Sequence, residues 1–542
     1  MTTNSSAPNR QIARAAATVM VAIVFGQLMG LLRGVLAAQA FPAAELDAFY
    51  YANRVSETLF TLIAAGALGS AFLPTFTGFL VRDELDAAWS LAAALAKLVT
   101  LSLSLLAALA AVFAPQIVRY ALAPGLSADP GLFQLTVDLL RIQLVSAVLF
   151  GLGGLIVGIL NAHQVFFIPQ LTAAMYQIGQ IFGILVLAQW WGIYGLAWGV
   201  VIGAALYLIV QLPALRGMTI DHRPLTTTHH SPSVVDRLSS IVGLNNPAVR
   251  QVITLMGPRI FGAGIVQLNF WINAQLASQM TLGSMTSLSY GFALMLMAQA
   301  AIAQSVAIAA MPTFSAQLAL GKTDEMRKAL ASALRGVLFL TLPASVGLVM
   351  LALPIVSMLY QRGEFDAVIA DMTAWALAWY AAGMVGHSLM EVLTRAFYAQ
   401  QDTKTPVVIG AVAMGLNVAF SFTFPELFRQ IGWMPHGGLA LANSLATALE
   451  AAVLFVVMRK RLGGLEGPTL LDGVVRAGAA ALGMAIGLLF WVQATGSLNP
   501  WVAGLGGVAL GGLVYGLGAL ALKVPEIQNL LGFLKRRLSR AG

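Results

Sequence analysis

The chain consists of one long apolar block after another, and this pattern constrains its fold more than any other feature. Blocks of about 20 or more apolar residues follow each other from residue 12 to residue 523. A water-soluble helix keeps one charged face, whereas these blocks are apolar on all sides. About 20 apolar residues cross the roughly 30 Å hydrocarbon layer of a bilayer. The chain is therefore predicted to lie in a membrane.

Fourteen of these blocks are predicted to cross the membrane as helices, because lipid offers no other partner to the backbone N–H and C=O groups. The fold class is an all-α polytopic membrane protein. The predicted spans are 12–40, 47–80, 88–115, 132–160, 166–190, 193–215, 251–279, 283–317, 331–359, 367–399, 405–428, 437–458, 473–495 and 499–522.

Positive charge is unequal between alternate connecting segments, and this inequality predicts the orientation. With the N-terminus inside, most Lys and Arg residues fall in inner segments, and the outer segments hold Arg119, Arg362 and Arg429. Cytoplasmic loops carry an excess of Lys and Arg, so both termini are predicted to be cytoplasmic. The same rule accounts for the net charge of +8, and we expect no nucleic-acid partner.

Three short motifs recur in the same order and indicate an internal repeat. Residues 74–76 and 312–314 both read Pro-Thr-Phe, 238 positions apart. The segments that end at Pro169 and Pro406 match at 237 positions, and a Gly-Leu-Ala motif recurs at 243 positions. Six spans per repeat is an even number, so the two halves enter the membrane the same way up, as in transporters built from two bundles.

The repeat predicts two six-helix lobes and a C-terminal helix pair. The tail has one apolar side and a basic end, which is typical of a helix lying on the inner leaflet. The predicted segments are a cytoplasmic N-terminus 1–11, an N-lobe 12–216, a cytoplasmic linker 217–250, a C-lobe 251–462, the helix pair 463–523 and an amphipathic basic tail 524–542.

Three arginines lie within predicted spans, where a charge costs at least about 2.5–3.5 kcal/mol and therefore usually faces a cavity or a partner. Arg33 and Arg54 are predicted roughly 10–12 Å below the outer surface, and Arg259 lies near the midplane. A guanidinium fork matches phosphate oxygens, so these arginines predict a cavity for a diphosphate. Alternatively, Arg54 pairs with Glu57 along its helix, and Arg259 extends to the inner edge.

Two other deep ionisable residues, Glu450 and His387, have no partner nearby in the sequence. They are candidates for coupling transport to a proton or another cation. Other charges within the spans pair along their own helices, at the i,i+3 and i,i+4 positions of residues 138 and 141 and of residues 391 and 395.

The sequence contains none of the common motifs that would indicate an enzyme. It has no cysteine, so disulfides and thiolate metal sites are excluded. The phosphate-binding loop, zinc-protease and serine-hydrolase motifs do not occur. We expect a transporter without catalytic residues, metal site or cofactor, driven by a gradient or by the membrane potential. The possible coupling cation, Na⁺ or H⁺, stays open.

Several longer motifs resemble those of a known family. They are GLLRGVLAAQAF, LDAFYYANRV, AGALGSAFLPTF, GILNAHQVFFIP and RAFYAQQDTKTPV, within a resemblance that runs from about residue 12 to residue 523. The chain resembles the MurJ/MviN family of lipid II flippases in peptidoglycan synthesis, within the multidrug/oligosaccharidyl-lipid/polysaccharide exporter superfamily. The resemblance implies fourteen helices in two six-helix lobes plus a terminal pair, in the bacterial cytoplasmic (inner) membrane.

The resemblance also assigns site residues. It places Arg33 and Asp47 on the family's charged cavity positions, while residues 26–27, 60–61 and 292–294 lack charges that the family commonly has there. It implies flipping of a polyprenyl-diphosphate-linked sugar, most readily lipid II, by alternating access, with lipid and cell-wall synthesis proteins as partners. Two alternatives stay open, namely an ion-coupled exporter of amphipathic drugs or cations, and a non-transporting cell-wall scaffold.

The charge distribution generates a topological prediction. Because the Lys/Arg excess places segment 217–250 inside, a cysteine at Ser233 in this cysteine-free chain should resist an impermeant thiol reagent in intact cells and react after lysis. A cysteine at Ser127, in a predicted outer loop, is the matched control and should react in both cases. Ready labelling at Ser233 from outside would contradict the predicted orientation.

Overall fold

The computed structural model describes residues 6–62, 72–216, 247–496 and 498–528. Within these ranges the chain is helical and forms no β-strand. Ten of the described helices are long and apolar enough to cross a membrane, and a helix pair with a 44° bend gives an eleventh. The all-α polytopic membrane fold is thereby confirmed, while the number of fourteen spans stays a prediction.

The first compact unit spans Met1–Gln279. Its shorter helical segments are Ala114–Gln116, Ile117–Leu122, Pro124–Ala128, Gly183–Leu187, Ala188–Trp191 and Leu212–Arg216. Its main helices are α1 (Ser6–Ala40), α2 (Ala43–Phe60), α3 (Leu73–Val81), α4 (Leu85–Val112), α5 (Pro130–Ala162), α6 (Phe167–Phe182), α7 (Ile193–Ile209) and α8 (Pro247–Ser278).

The second compact unit spans Met280–Gly542. A π-helical segment, Ala300–Gln304, joins its first two helices. Its helices are α9 (Ser284–Gln299), α10 (Ser305–Ala319), α11 (Thr323–Met350), α12 (Ala352–Tyr360), α13 (Ala367–Ala382), α14 (Met384–Ala399), α15 (Lys404–Gln430), α16 (His436–Arg461), α17 (Gly467–Thr495) and α18 (Pro500–Ala521).

Helix α8 belongs by its contacts to the first unit, although the sequence placed residues 251–279 at the start of the second lobe. The division lies after Gln279. Helix α8 carries three polar amide side chains, Gln267, Asn269 and Asn273, in its C-terminal half. The linker within 217–246 and the tail 529–542 lie outside the described residues, and the predicted segment boundaries stay predictions.

The internal repeat is visible in the backbone of the turns. Asp83 and Gly321, 238 positions apart, both have positive φ angles, of 59° and 70°. Each follows a helix whose end is closed by a hydrogen bond spanning five residues, from Glu84 N to Phe79 O and from Lys322 N to Gln317 O, both 2.9 Å long. This is the Schellman arrangement of helix ends. The two halves therefore use the same turn at the same place.

A second pair of turns repeats in the same way. Gln164 and Gln401, 237 positions apart, have φ angles of 59° and 58°. Hydrogen bonds from Val165 N to Leu160 O and from Asp402 N to Phe397 O close the preceding helices. A residue other than glycine rarely adopts this conformation. Its recurrence at the repeat distance supports the parallel repeat inferred from sequence.

Close packing of α6 on α7 sets the position of the polar face of α6. A Cβ on Gly179 would overlap the backbone of Gly203, so the two helices approach to backbone contact there. Small residues permit such close approach between membrane helices. On another face of α6, Gln177 lies against Gly30 of α1, where a Cβ would sit 3.5 Å from the amide nitrogen. Helix α6 thus presents its glutamines to α1.

Ion pairs attach the C-terminal helices to the second unit. Arg335 of α11 contacts Glu466, just before α17, at 3.4 Å and Glu526, after α18, at 3.2 Å. The Tyr515 hydroxyl of α18 donates to the Phe339 carbonyl oxygen at 2.6 Å. Apolar side chains of α17 and α18 form a buried cluster with Leu351. The predicted helix pair is therefore packed onto α11 rather than separate from it.

A cluster of polar side chains lies between α14 and α15, at the N-terminal end of α15. Asp402 accepts hydrogen bonds from the backbone N–H of Thr405 at 3.0 Å and from its hydroxyl at 2.6 Å. Arg461, at the end of α16, pairs with the same carboxylate at 2.6 Å. The hydrogen bonds from Thr405, and then the charge of Arg461, hold the pKa of Asp402 well below its usual range. The family-like motif RAFYAQQDTKTPV thus has a structural role in joining three helices.

We expect Asp402→Asn to lower the Tm of the purified protein at pH 7. A carboxylate whose folded pKa is depressed stabilises the fold above its unfolded pKa, and this stabilisation is lost as the pH falls through the folded pKa. The difference in Tm between wild type and Asp402→Asn should therefore shrink below about pH 4. Glu325→Gln, which removes an exposed i,i+3 ion pair with Lys322, is the control and should change Tm little. A pH-independent difference would contradict this assignment.

Candidate functional site

Arg33 lies half-buried on α1, opposite the polar face of α6. Its Nη1 donates to Oε1 of Gln180 at 3.5 Å. Gln180 is almost completely buried, with 1% of its surface exposed, and Tyr176 lies one turn earlier on α6. The packing of α6 on α7 places this Gln–Tyr pair, so the surroundings of Arg33 are built by tertiary contacts.

Arg54 lies on α2 and has contacts on two sides. Its Nη1 donates to Oε2 of Glu57 at 2.9 Å, which confirms the ion pair along the helix that the sequence offered as one alternative. Its guanidinium carbon lies 4.9 Å from the centre of the Phe270 ring of α8, a distance typical of a cation–π contact. The Arg54 side chain is 18% exposed and that of Glu57 is 46% exposed.

Arg33 and Arg54 both lie in the first unit, and each is held by a neighbouring polar side chain. Gln180 accepts a hydrogen bond from Arg33. Glu57 in turn holds Arg54. The formal charges of these two guanidinium groups and one carboxylate leave an excess of one positive charge. Such a group suits an anion, and a guanidinium binds phosphate oxygens in pairs.

The other two predicted cavity residues are Asp47 and Arg259, and the structure describes the side chain of Asp47 but not that of Arg259. Asp47 is buried on α2, with 2% of its surface exposed. Arg259 belongs to α8, but its side chain lies outside the described part of the structure. The convergence of Arg33, Arg54 and Arg259 on one cavity stays a prediction.

The candidate coupling residues lie in the second unit. His387 of α14 contacts Asn443 of α16 through Nε2 and Oδ1, 3.1 Å apart. Glu450, two helical turns after Asn443, is buried with 8% of its surface exposed, and a Cβ on Gly410 of α15 would lie 3.1 Å from its Oε1. Both side chains therefore point between helices rather than into lipid, and their coupling role stays a prediction.

Sequence reasoning missed several polar residues that surround the arginines. Gln180 was not singled out, and neither were Thr58, Gln267 and Trp271, which form a hydrogen-bonded group between α2 and α8. A signal existed, because glutamine and asparagine are costly within a membrane span and tend to face partners. Among the described residues, no group of three or more His, Asp or Glu side chains could hold a metal ion.

The family model and the similar sequences all indicate the same family. The family model described as "Lipid II flippase MurJ" matches residues 36–505. The chain is similar to the lipid II flippase MurJ of Burkholderia cenocepacia, with 31% identity over 481 residues, which cover 88% of this chain and 89% of the relative. It is also similar to the probable lipid II flippase MurJ of Bdellovibrio bacteriovorus, with 28% identity over 85% of each chain.

Solved structures show the same fold. A lipid II flippase MurJ in an inward closed conformation superposes with a TM-score of 0.74, at 22% identity, over 95% of this chain and 99% of the other. An inward-facing multidrug resistance transporter of the MATE family, within the MOP superfamily, superposes with a TM-score of 0.67, at 15% identity, over 83% of this chain and 99% of the other. These likenesses concern the fold, whereas the match of the family model over most of the sequence decides membership. This multi-pass membrane protein therefore belongs to the MurJ family of lipid II flippases.

Proposed function

We propose that the protein is a flippase that moves lipid II from the inner to the outer leaflet of the bacterial cytoplasmic membrane for peptidoglycan synthesis. Membership of the MurJ family supports the substrate. The observation that carries the assignment to this chain's own residues is Arg33, held by the buried Gln180 between α1 and α6. A charge retained at such a place requires a polar partner or ligand.

The proposed chemistry is recognition of a diphosphate without bond cleavage. Arg33 donates to the diphosphate oxygens, and Arg54 and Arg259 complete the contacts as the headgroup crosses. Asp47 holds its helix position and limits the excess of positive charge. The polyprenyl tail stays in lipid, against a groove formed by α17 and α18. Alternating access, in which the lobes rock, would expose the headgroup to one side and then to the other.

The proposed topology places both termini in the cytoplasm, which the Lys/Arg excess supports. The direct partners are then the lipid-linked substrate and membrane lipids, and proteins of cell-wall synthesis are further partners. No nucleic-acid partner and no cofactor are proposed. The driving force is a cation gradient or the membrane potential, with Glu450 and His387 as the candidate groups for Na⁺ or H⁺.

Arg33→Ala should lower lipid II flipping by at least about tenfold, because it removes charge-assisted hydrogen bonds to the diphosphate. Arg33→Lys should restore part of this loss, since a point charge lacks the bidentate fork. Flipping would be measured as accessibility of lipid II at the outer surface of cells depleted of their own flippase, at matched protein levels.

Arg429→Ala is the matched control, since Arg429 is exposed and pairs with Glu426 within α15. It should flip lipid II at the parent rate. Undiminished flipping by Arg33→Ala would reject the role of Arg33, and a parent protein that restores no flipping would reject the proposed function itself.

Replacement of a coupling residue should change how transport depends on the gradient rather than abolish lipid II binding. We expect Glu450→Gln or His387→Ala to weaken the dependence of flipping on pH, on Na⁺ or on membrane potential, because one titratable or cation-binding group is lost. The measurement is flipping with each gradient collapsed in turn. Glu426→Gln is the control. If both variants keep the parent's dependence on all three, neither residue couples transport.

A further inference from the structure

Helices α1 and α6 lie side by side within the first unit. A Cβ on Gly30 of α1 would lie 3.5 Å from Nε2 of Gln177 of α6. One turn further along both helices, Nη1 of Arg33 donates to Oε1 of Gln180 at 3.5 Å. The two pairs have the same sequence separation of 147 residues. The helices are therefore parallel at this place, and one face of α1 meets one face of α6.

Gln177 and Gln180, which we call the amide pair, face α1 together because residues at i and i+3 are neighbours on a helix. Gln180 is 1% exposed, and Gln177 is half-buried. Within the described residues, Nε2 of Gln180 has no acceptor and Oε1 of Gln177 has no donor, although both atoms are buried. The amide pair therefore offers one open donor and one open acceptor on the face that meets α1.

An open amide between two helices is unfavourable. A buried polar atom without a hydrogen-bond partner has lost its contact with water and has gained no contact in return. Methionine is an unbranched side chain that adapts to irregular gaps, and it would fill the same place without this cost. Buried polar groups in native proteins nearly always have a partner, which is the protein itself or an ordered water. The open atoms of the amide pair therefore point to a bound molecule.

The chemistry of that molecule follows from the open atoms. Nε2 of Gln180 is a donor, and the Arg33 guanidinium beside the same side chain is a charged donor. Both groups suit the oxygens of a diphosphate. Oε1 of Gln177 is an acceptor, so it repels a phosphate oxygen and requires a hydroxyl or an amide N–H. The oxygens of a bare diphosphate are mainly acceptors near neutral pH, whereas a sugar attached to the diphosphate carries hydroxyl donors.

From these contacts we propose that the amide pair is a subsite for the sugar that is joined directly to the diphosphate. Arg33 and Gln180 hold phosphate oxygens, and Gln177 accepts a hydrogen bond from a hydroxyl or amide N–H of that sugar. This inference rests on the proposed function, which supplies the lipid-linked sugar diphosphate. Gln177 is then a residue that determines specificity.

The subsite would distinguish the loaded carrier lipid from the empty one. A site built to hydrogen-bond a hydroxyl rejects an analogue that lacks it, because the polar atom of the site stays buried and without a partner. One such atom should lower the affinity for the wrong ligand by at least about fivefold. A polyprenyl diphosphate without its sugar leaves Oε1 of Gln177 in this condition, so the protein should bind the empty carrier less well than lipid II.

The first test measures binding to the purified protein. Lipid II and a sugar-free polyprenyl diphosphate of the same chain length compete for the wild type and for Gln177→Met. The wild type should prefer lipid II. Gln177→Met should bind lipid II at least about fivefold more weakly and should bind the sugar-free lipid no less tightly than the wild type, because only the sugar meets Oε1. An equal loss for both lipids would overturn the subsite, and so would no loss for either, which is the result if an ordered water alone fills it.

The other member of the amide pair should respond differently. Gln180→Met removes the acceptor that holds Arg33 and the donor to the diphosphate, so it should weaken binding of both lipids by similar factors. Gln189→Met is the control, since Gln189 is exposed and its Nε2 donates to the Leu185 carbonyl oxygen at 2.8 Å. It should leave both affinities unchanged. A loss confined to lipid II in Gln180→Met, with none in Gln177→Met, would overturn this assignment of the two amides.

The second test needs no lipid and separates a binding role from a structural one. Gln177→Met should keep or raise the Tm of the ligand-free protein, since it removes a buried oxygen that has no partner. A glutamine with only a structural role would lose a hydrogen bond on replacement, and the Tm would fall. Added lipid II should then raise the Tm of the wild type more than that of Gln177→Met. A lower Tm for ligand-free Gln177→Met would contradict the open acceptor.

The two proposals fail separately. If the wild type restores no lipid II flipping in depleted cells, the proposed function fails, while the competition between the two lipids still decides whether the amide pair selects a sugar. If the wild type flips lipid II and Gln177→Met keeps the full preference for it, the sugar subsite alone is rejected. A lost preference in Gln177→Met together with an unchanged or higher Tm supports the subsite.

Discussion

The cost of a polar or charged group in hydrocarbon organises this protein. Its surroundings offer no water to a buried amide, hydroxyl or guanidinium, so each such group needs a partner within the chain. Most of the chain avoids the cost by being apolar. Some polar side chains within the described spans point between helices, as Arg33 does towards Gln180 and His387 towards Asn443. The exceptions to apolarity therefore mark where the helices meet and where a ligand can enter.

The same constraint explains the construction of the repeat. A helix that leaves the membrane must satisfy its last carbonyl groups within a few residues, and the Schellman turn does so with one residue of positive φ. Both halves use it at the equivalent places, at Asp83 and Gly321 and again at Gln164 and Gln401. In the second half, Asp402, Thr405 and Arg461 add a charged cluster to this turn. The most distinctive family motif in the sequence is thus explained largely by the architecture of the bundle.

Helix α8 contacts α2 beside Arg54, a predicted substrate-binding residue. The structure places two of its polar residues, Gln267 and Trp271, against Thr58 of α2, one turn from Arg54. A transporter needs contacts that are strong enough to define a state and weak enough to break. A few interhelical hydrogen bonds and one cation–π contact have this strength.

Sequence alone determined the membrane environment, the helical class, the repeat and the family, because each depends on features that recur along the chain. Apolar block length reports the bilayer thickness, and the motif order reports the family. The sequence also predicted, as one alternative, the ion pair of Arg54 with Glu57, because residues at i and i+3 are neighbours on any helix. The contacts of α8 could not be read in this way, because its partners Thr58, Arg54 and Gly125 lie far from it in the chain. Only the tertiary structure brought Gln180 to Arg33 and Phe270 to Arg54. These pairs are 147 and 216 residues apart in the sequence, and no local periodicity relates side chains at such separations, so helix packing alone decided them.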